Sequence, residues 1–268
     1  MPETDAHAND LALMLEASRK AADIAMSFFR KDPDVWFKNE GRSPVSEADV
    51  AIDRALRDML VGARPGYGWL SEEAEDSEHR LSHSSVFVVD PIDGTRAYVA
   101  GRPDWCVSIG LVEDGVAVAG VLAAPAREEI WLGVRGGGAS LNGRRLMSSS
   151  AIENEAPLRV VLPDAVVRAM HGGAGAGLEA VPGGPSLALR LAGLARGEVD
   201  GVYVRPQSNE WDLAAADVLL SETGNALVDR GGARLKYNSR DPSRALLLAA
   251  SERHLNRLLA PLQPARGH

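Results

Sequence analysis

Apolar residues recur at steps of three and four through the first segment of the chain, where Leu11, Met14, Ala17, Ala21, Ile24 and Phe28 form one stripe. That period marks an amphipathic helix, and Lys31-Asp32-Pro33 predicts its end. The period returns after Pro44, where Ser46 is placed to cap a second helix with Ile52, Leu56, Met59 and Leu60 along its buried face. From residue 86 the texture changes. Short apolar runs rich in Val and Ile (VFVVD, WCVSIGLV, VAVAGVLAAP, EIWLGV) alternate with turn residues such as Glu113-Asp114-Gly115, which predicts a mostly antiparallel sheet. Beyond about residue 150 the predicted order is strand (LRVVLP), Gly-rich loop (HGGAGAG), helix (SLALRLAGLA), strand (DGVYV), helix from Trp211, strand (ALLLAA) and a last helix. The pattern is that of an α+β chain in layers. No repeat or long linker divides it, so residues 1–268 read as one domain, with 1–150 and 151–268 as candidate subdomains whose boundary falls near 148–157.

Composition narrows the function classes. At 45% hydrophobic content, 268 residues bury a large core without disulfides, and the single cysteine, Cys106, has no intrachain partner. Lying in an apolar strand with no activating histidine, Cys106 reads as packing, and its solitude suits a reducing cytoplasm. The six histidines are expected to form no metal-binding pair. The amino terminus, MPETDAHAND, lacks the basic and apolar pattern of a secretory signal, and no run approaches the roughly 18 apolar residues of a membrane span. A formal charge of −8 argues against binding a nucleic-acid polymer. It also means that a phosphorylated substrate needs local cations, either side chains or metal.

The chemistry concentrates where the strand VFVVD delivers Asp90, Asp93 and Thr95 in Asp-Pro-Ile-Asp-Gly-Thr. Strand ends of this kind carry ligands in α/β proteins. The two carboxylates, three apart across a proline, converge only if the backbone turns, and together they offer the oxygen ligands that Mg²⁺ takes. A helix start at Gly94-Thr95 would add backbone N–H groups for an anion. Asp, Pro and Gly are equally the ordinary formers of a plain turn. The string is not alone, however. Trp69-Leu-Ser-Glu72-Glu73 precedes it and Asn209-Glu210-Trp211-Asp212 follows, each setting an acid beside an apolar element.

Taken together, Ser-Glu-Glu at Glu72, Asp-Pro-Ile-Asp-Gly-Thr at 90–95 and Trp-Asp-x-Ala-Ala from Trp211 resemble the inositol monophosphatase family. Lys38 with Pro44-Val-Ser-Glu-Ala-Asp49, and the segment Gly136–Gly143, resemble two further pieces in family order. The resemblance implies an α-β-α-β-α sandwich of the inositol monophosphatase/fructose bisphosphatase type. It also implies hydrolysis of a small phosphorylated metabolite with two or three Mg²⁺ ions, inhibition by Li⁺, and a homodimer. By the same resemblance Glu72, Asp90 and the carbonyl of Ile92 hold one metal, and Asp90, Asp93 and Asp212 a second. Asp49 and Thr95, with Glu72, orient and deprotonate the water, while Lys38, Gly94 and Thr95 serve the phosphate. No covalent intermediate is implied, since two metals neutralise the ester, activate water and stabilise the leaving alkoxide.

Some positions depart from the pattern or carry a second meaning. Asp49, three after Ser46, also fits a helix-capping acid, Lys38 also fits a solvated loop, and Glu73 reads as support or surface. Ser46 replaces the family's Thr. Seven residues before Asp212, where inositol-hydrolysing members commonly carry an acid, this chain has Arg205. A cation there suits a second anionic group and makes 3′-phosphoadenosine 5′-phosphate an alternative to an inositol phosphate, ahead of sugar bisphosphates and histidinol phosphate. Arg205 equally suits a surface ion pair or a subunit contact. Haloacid-dehalogenase-type phosphatases also end an Asp-rich motif in Gly-Thr, but with aspartates two apart. RGGGASLNGRR lacks the Gly-Lys-Ser/Thr ending of a nucleotide loop. A noncatalytic binder of a phosphorylated ligand is the third class, set against the full complement of ligands present.

Overall fold

The computed structural model describes residues 2–31, 35–38, 43–147, 157–163 and 177–262. The first stripe forms α1 (Pro2–Phe28), and the second forms α2 (Glu47–Ala63) behind the short antiparallel pair β1 (Val35–Lys38) and β2 (Ser43–Ser46). Ser46 caps α2 in a reciprocal box with Asp49, and Ile52, Leu56 and Leu60 are buried as the period predicts.

A seven-stranded sheet follows in the order β3 (Gly68–Ser71), β4 (Ser85–Asp93), β5 (Cys106–Glu113), β6 (Val116–Ala124), β7 (Glu129–Val134), β8 (Gly138–Leu141) and β9 (Arg144–Arg145). All its pairings are antiparallel except β3 with β4. Both faces are covered. Phe87 and Val89 of β4 join the cluster under α1 and α2, whereas Val86 and Val88 join a central cluster on the other side. A short helix, α3 (Thr95–Val99), leaves the end of β4.

The second sheet runs β11 (Leu178–Val181), β10 (Leu158–Val161), β12 (Gly201–Val204), β16 (Leu247–Ser251), β14 (Asn225–Asp229), with β13 (Ser208–Asn209) and β15 (Ser243–Arg244) pairing apart from it. Between the two sheets lie α4 (Leu187–Arg196) and α5 (Ala214–Ser221), whose residues fill the central cluster, and α6 (Glu252–Leu259) closes the far face. The layers are therefore α1/α2, large sheet, α4/α5, small sheet, α6, which is the expected α-β-α-β-α order.

Three glycines decide how close the middle layer comes. Gly110, Gly120 and Gly133 stand opposite one another across β5, β6 and β7. A methyl group on Gly120 would lie 2.3 Å from the Ala215 carbonyl oxygen, one on Gly110 2.9 Å from the Ala214 methyl, and one on Gly133 3.0 Å from Leu219. The alanines of α5 thus rest on bare backbone, which brings the helix and the acid just before it down onto the sheet.

Sequence and structure differ in several places. The helix expected from Trp211 begins as a 3₁₀ turn, Glu210–Asp212, and becomes α-helical at Ala214. The histidines do contain a pair four apart: His79 and His83 have ring centroids 4.9 Å apart and nitrogens at 3.0 Å, correcting the expectation of none. Most of the HGGAGAG segment and all but the last residue of the 148–157 boundary lie outside the described residues.

Candidate active site

The site grows out of strand register. In the parallel pair β3/β4, Ser71 stands opposite Val89, and the Glu72 amide donates to the Val89 carbonyl at 3.2 Å, so Glu72 comes out beside Asp90. The pairing of β4 with β5 then shifts between Asp90 and Asp93, a bulge that re-aims the strand end. Asp90 Oδ1 accepts from the Ile92 amide at 2.9 Å, and the Thr95 hydroxyl donates to the Ile92 carbonyl at 3.0 Å, folding the motif on itself. Gly94 has φ 97°, and a side chain there would press on the Asp104 carbonyl at 2.9 Å, so the turn calls for glycine. Behind it, Tyr98 of α3 packs edge-on against Trp105 and donates its hydroxyl to Ala25 of α1 at 2.8 Å, fixing the turn from below.

Asp212 arrives from the middle layer. The seat of α5 on the glycine row delivers it, the Ser108 hydroxyl of β5 donates to the Trp211 carbonyl at 3.2 Å, and Asp212 Oδ2 accepts from the Asn209 amide at 2.7 Å. Carboxylate oxygens of Glu72, Asp90 and Asp212 come within 4.8 Å of one another. Three acids this close repel, and burial adds to it. Burial foremost, then the charges of Glu72, Asp93 and Asp212, holds Asp90 well above the usual carboxylate range. Burial and Asp93 push Asp212 up to about 7, against the opposing Asn209 amide, Arg205 and Arg190. An oxygen cluster that resists ionisation by itself is matched to a hard divalent cation, whose charge reverses that cost.

Asp93 is tied elsewhere as well. Its carboxylate accepts from the Ser186 hydroxyl at 2.5 Å and from the Leu187 and Ala188 amides at 3.2 and 2.6 Å, so it caps α4 while bordering Asp212. Asp49 is buried, takes both the Ser46 amide and hydroxyl on one oxygen, and is pushed by burial up to about 6. Lys38 lies on β1, with its side chain outside the described residues. Arg205 is exposed, yet it acts electrostatically on both Asp212 and Arg190.

A model of the inositol monophosphatase family matches residues 8–267. The chain belongs to this family. An inositol-1-monophosphatase of Rhizobium meliloti (strain 1021) is 36% identical over 246 residues, which cover 83% of this chain and 86% of that protein. A histidinol-phosphatase of Mycobacterium tuberculosis is also 36% identical, over 84% of this chain and 88% of its own. In three dimensions the crystal structure of the extragenic suppressor protein SuhB from Bartonella henselae superposes with a TM-score of 0.81 at 27% identity, covering 96% of this chain and 99% of that one. As a family member the protein is a phosphoric monoester hydrolase.

Several residues of the site carried no motif signal. Ser186 reaches Asp93 across 93 positions of sequence, and Arg190 stands on the first turn of α4 with its charge felt by Asp93 and Asp212. Arg190 did leave a trace, as the one charge inside the apolar run SLALRLAGLA.

Proposed function

We propose that the protein hydrolyses a small phosphomonoester with Mg²⁺, using water directly and no covalent enzyme intermediate. The observation that carries this is the convergence of Glu72, Asp90 and Asp212 within 4.8 Å on all-oxygen chemistry. These residues, with the Ile92 carbonyl and Asp93 at the border, would hold the metal, which neutralises phosphate charge and acidifies water when bound. Asp49, with a carboxyl at about 6, is ionised at neutral pH and basic enough to take a proton from water, and Thr95, whose hydroxyl stands on the Ile92 carbonyl, would orient that water with it. The rim of the site is cationic through Arg190 and Arg205, which receives the anionic ester.

For the substrate we place an inositol monophosphate first, with 3′-phosphoadenosine 5′-phosphate as the alternative. The second reading is supported by one feature, the approach of Arg205 to Arg190 beside Asp212, which suits a second anionic group. The lone buried Cys106 and the family likeness support a cytoplasmic homodimer, inhibited by Li⁺. Among the described residues no helix is long and apolar enough to cross a membrane.

Phosphate release from myo-inositol 1-phosphate, 3′-phosphoadenosine 5′-phosphate, fructose 1,6-bisphosphate and histidinol phosphate tests the proposal, with Mg²⁺, Mg²⁺ plus Li⁺, and chelator. The expected result is Mg²⁺-dependent release that chelator abolishes and Li⁺ suppresses. Arg205→Glu should shift preference toward the monophosphates. Release that persists in chelator, or a phosphoaspartyl enzyme trapped during turnover, contradicts the mechanism.

A further inference from the structure

Two of the converging acids stand on segments joined by a buried polar chain. The first segment, between β3 and β4, carries Glu72 and is closed by Arg80, which is 2% exposed. Arg80 grips Asp76 with both prongs, Nε to Oδ1 at 2.7 Å and Nη2 to Oδ2 at 2.9 Å. Its remaining donors leave the segment. Nη1 donates to Asn238 Oδ1 at 2.7 Å and Nη2 to the Ser239 carbonyl at 2.8 Å, while Asn238 Nδ2 returns a bond to the Arg80 carbonyl at 3.2 Å.

The second segment carries Asp212, and Glu210, two positions earlier, is fully buried. Its carboxylate accepts from the Asn238 amide at 2.7 Å and the Ser239 amide at 3.1 Å, and it pairs with Arg244. Residues 238–239 are therefore clasped from one side by a buried cation and from the other by a buried anion. Asn238 holds φ 58°, a left-handed turn that lets its side chain and its amide face opposite partners.

Burying Arg80 and Glu210 carries a desolvation cost that nearby apolar packing would have avoided. What the arrangement supplies is a fixed separation between the segment that carries Glu72 and the segment that carries Asp212. Resting on the metal-centre reading above, we propose that Arg80, Asn238 and Glu210 are positioning residues: a buried clasp that sets the spacing of Glu72 from Asp212 and so the affinity of the site for its cation. Outer residues that orient ligands typically govern metal affinity by about 10–100-fold.

Isothermal titration of the metal-free protein with Mn²⁺ reads this without turnover, alongside the melting temperature of the metal-free form. Glu210→Gln keeps the shape and removes the charge. Asn238→Gly keeps the left-handed turn and removes only the side-chain bonds to Arg80. Both should fold, and both should raise the Mn²⁺ dissociation constant, by about tenfold for Glu210→Gln. Activity in Glu210→Gln should return in large part at saturating metal. Variants that melt earlier yet bind Mn²⁺ as the wild type does would make the clasp a fold element only and overturn the proposal, as would variants unchanged in both measurements. Failure of the wild type itself to bind Mn²⁺ would instead overturn the metal-centre reading, which keeps the two failures apart.

Discussion

Asp217 lies within α5, where the Tyr237 hydroxyl donates to its carboxylate at 2.9 Å and Arg234 acts from farther off. Burial outweighs both and pushes the carboxyl from 3.8 up to about 6. Because the folded form binds the proton more tightly than the unfolded form, wild-type stability falls as pH rises through that window. Asn at this position is never charged. The stability of Asp217→Asn relative to wild type should therefore climb between pH 4 and pH 6, by on the order of 2–3 kcal/mol, and level off above. Denaturant unfolding of the metal-free proteins across that range checks it, and a pH-independent difference would place the titration elsewhere. Asp217 also shows the limit of reading residues singly. Glu72, Asp90, Asp93 and Asp212 stood out because each lies in a recognisable string beside an apolar element, whereas Asp217, Arg80 and Glu210 owe their burial to partners far along the chain.

Helix α5 matters chiefly for where it sits, and the glycine row under it sets that. Gly120→Ala puts a methyl group 2.3 Å from the Ala215 carbonyl oxygen, a contact that only movement of the helix relieves. Overpacking of this kind costs about 1–3 kcal/mol, and here it also lifts the segment that carries Asp212. The variant should lose stability and turnover together. Gly62→Ala, near the end of α2 with nothing within 4 Å of the new methyl, should gain about 0.5–1 kcal/mol and keep full turnover. Thermal melts and a phosphate-release assay on the pair check both, and a Gly120→Ala enzyme with normal turnover would mean that Asp212 is placed by the Ser108 and Asn209 contacts alone. The elements most legible in the sequence were those with a clear period or an apolar run: α1, α2 and β4 to β7. The strands β3 (GWLS) and β14 (NALVD) hold two and three apolar residues between Gly, Ser, Asn and Asp, which read equally as a turn until a neighbouring strand is in place. The same limit applies to the row Gly110, Gly120 and Gly133, whose meaning depends on strand register.

At the scale of the molecule, the site gathers chain from two layers. Glu72 and Asp90 come from the large sheet, and Asp212 from the layer between the sheets, while the central cluster draws on residues from Leu70 to Ala249. A cation bound by these three acids therefore cross-links the layers. In its absence burial and mutual repulsion disfavour the ionised forms of Asp90 and Asp212, and the cost of ionising them grows as pH rises through about 7, the value to which Asp212 is pushed. On the proposed reading Mg²⁺ would remove that cost in the folded state and bind little to the unfolded chain. At a hundredfold excess over its dissociation constant it should add about 2.7 kcal/mol, or roughly 5–10 °C in a protein of this length. The sign with pH follows from the same carboxyls. Protons compete for the ligands more strongly at pH 5 than at pH 8, so the gap between loaded and chelated melting temperatures should widen over that interval. Calorimetric scans with Mg²⁺ and with chelator at the two pH values measure it. A gap of the same size at both would mean that the ion binds away from the buried acids, and the cross-link between layers would have to be sought in the side-chain contacts alone.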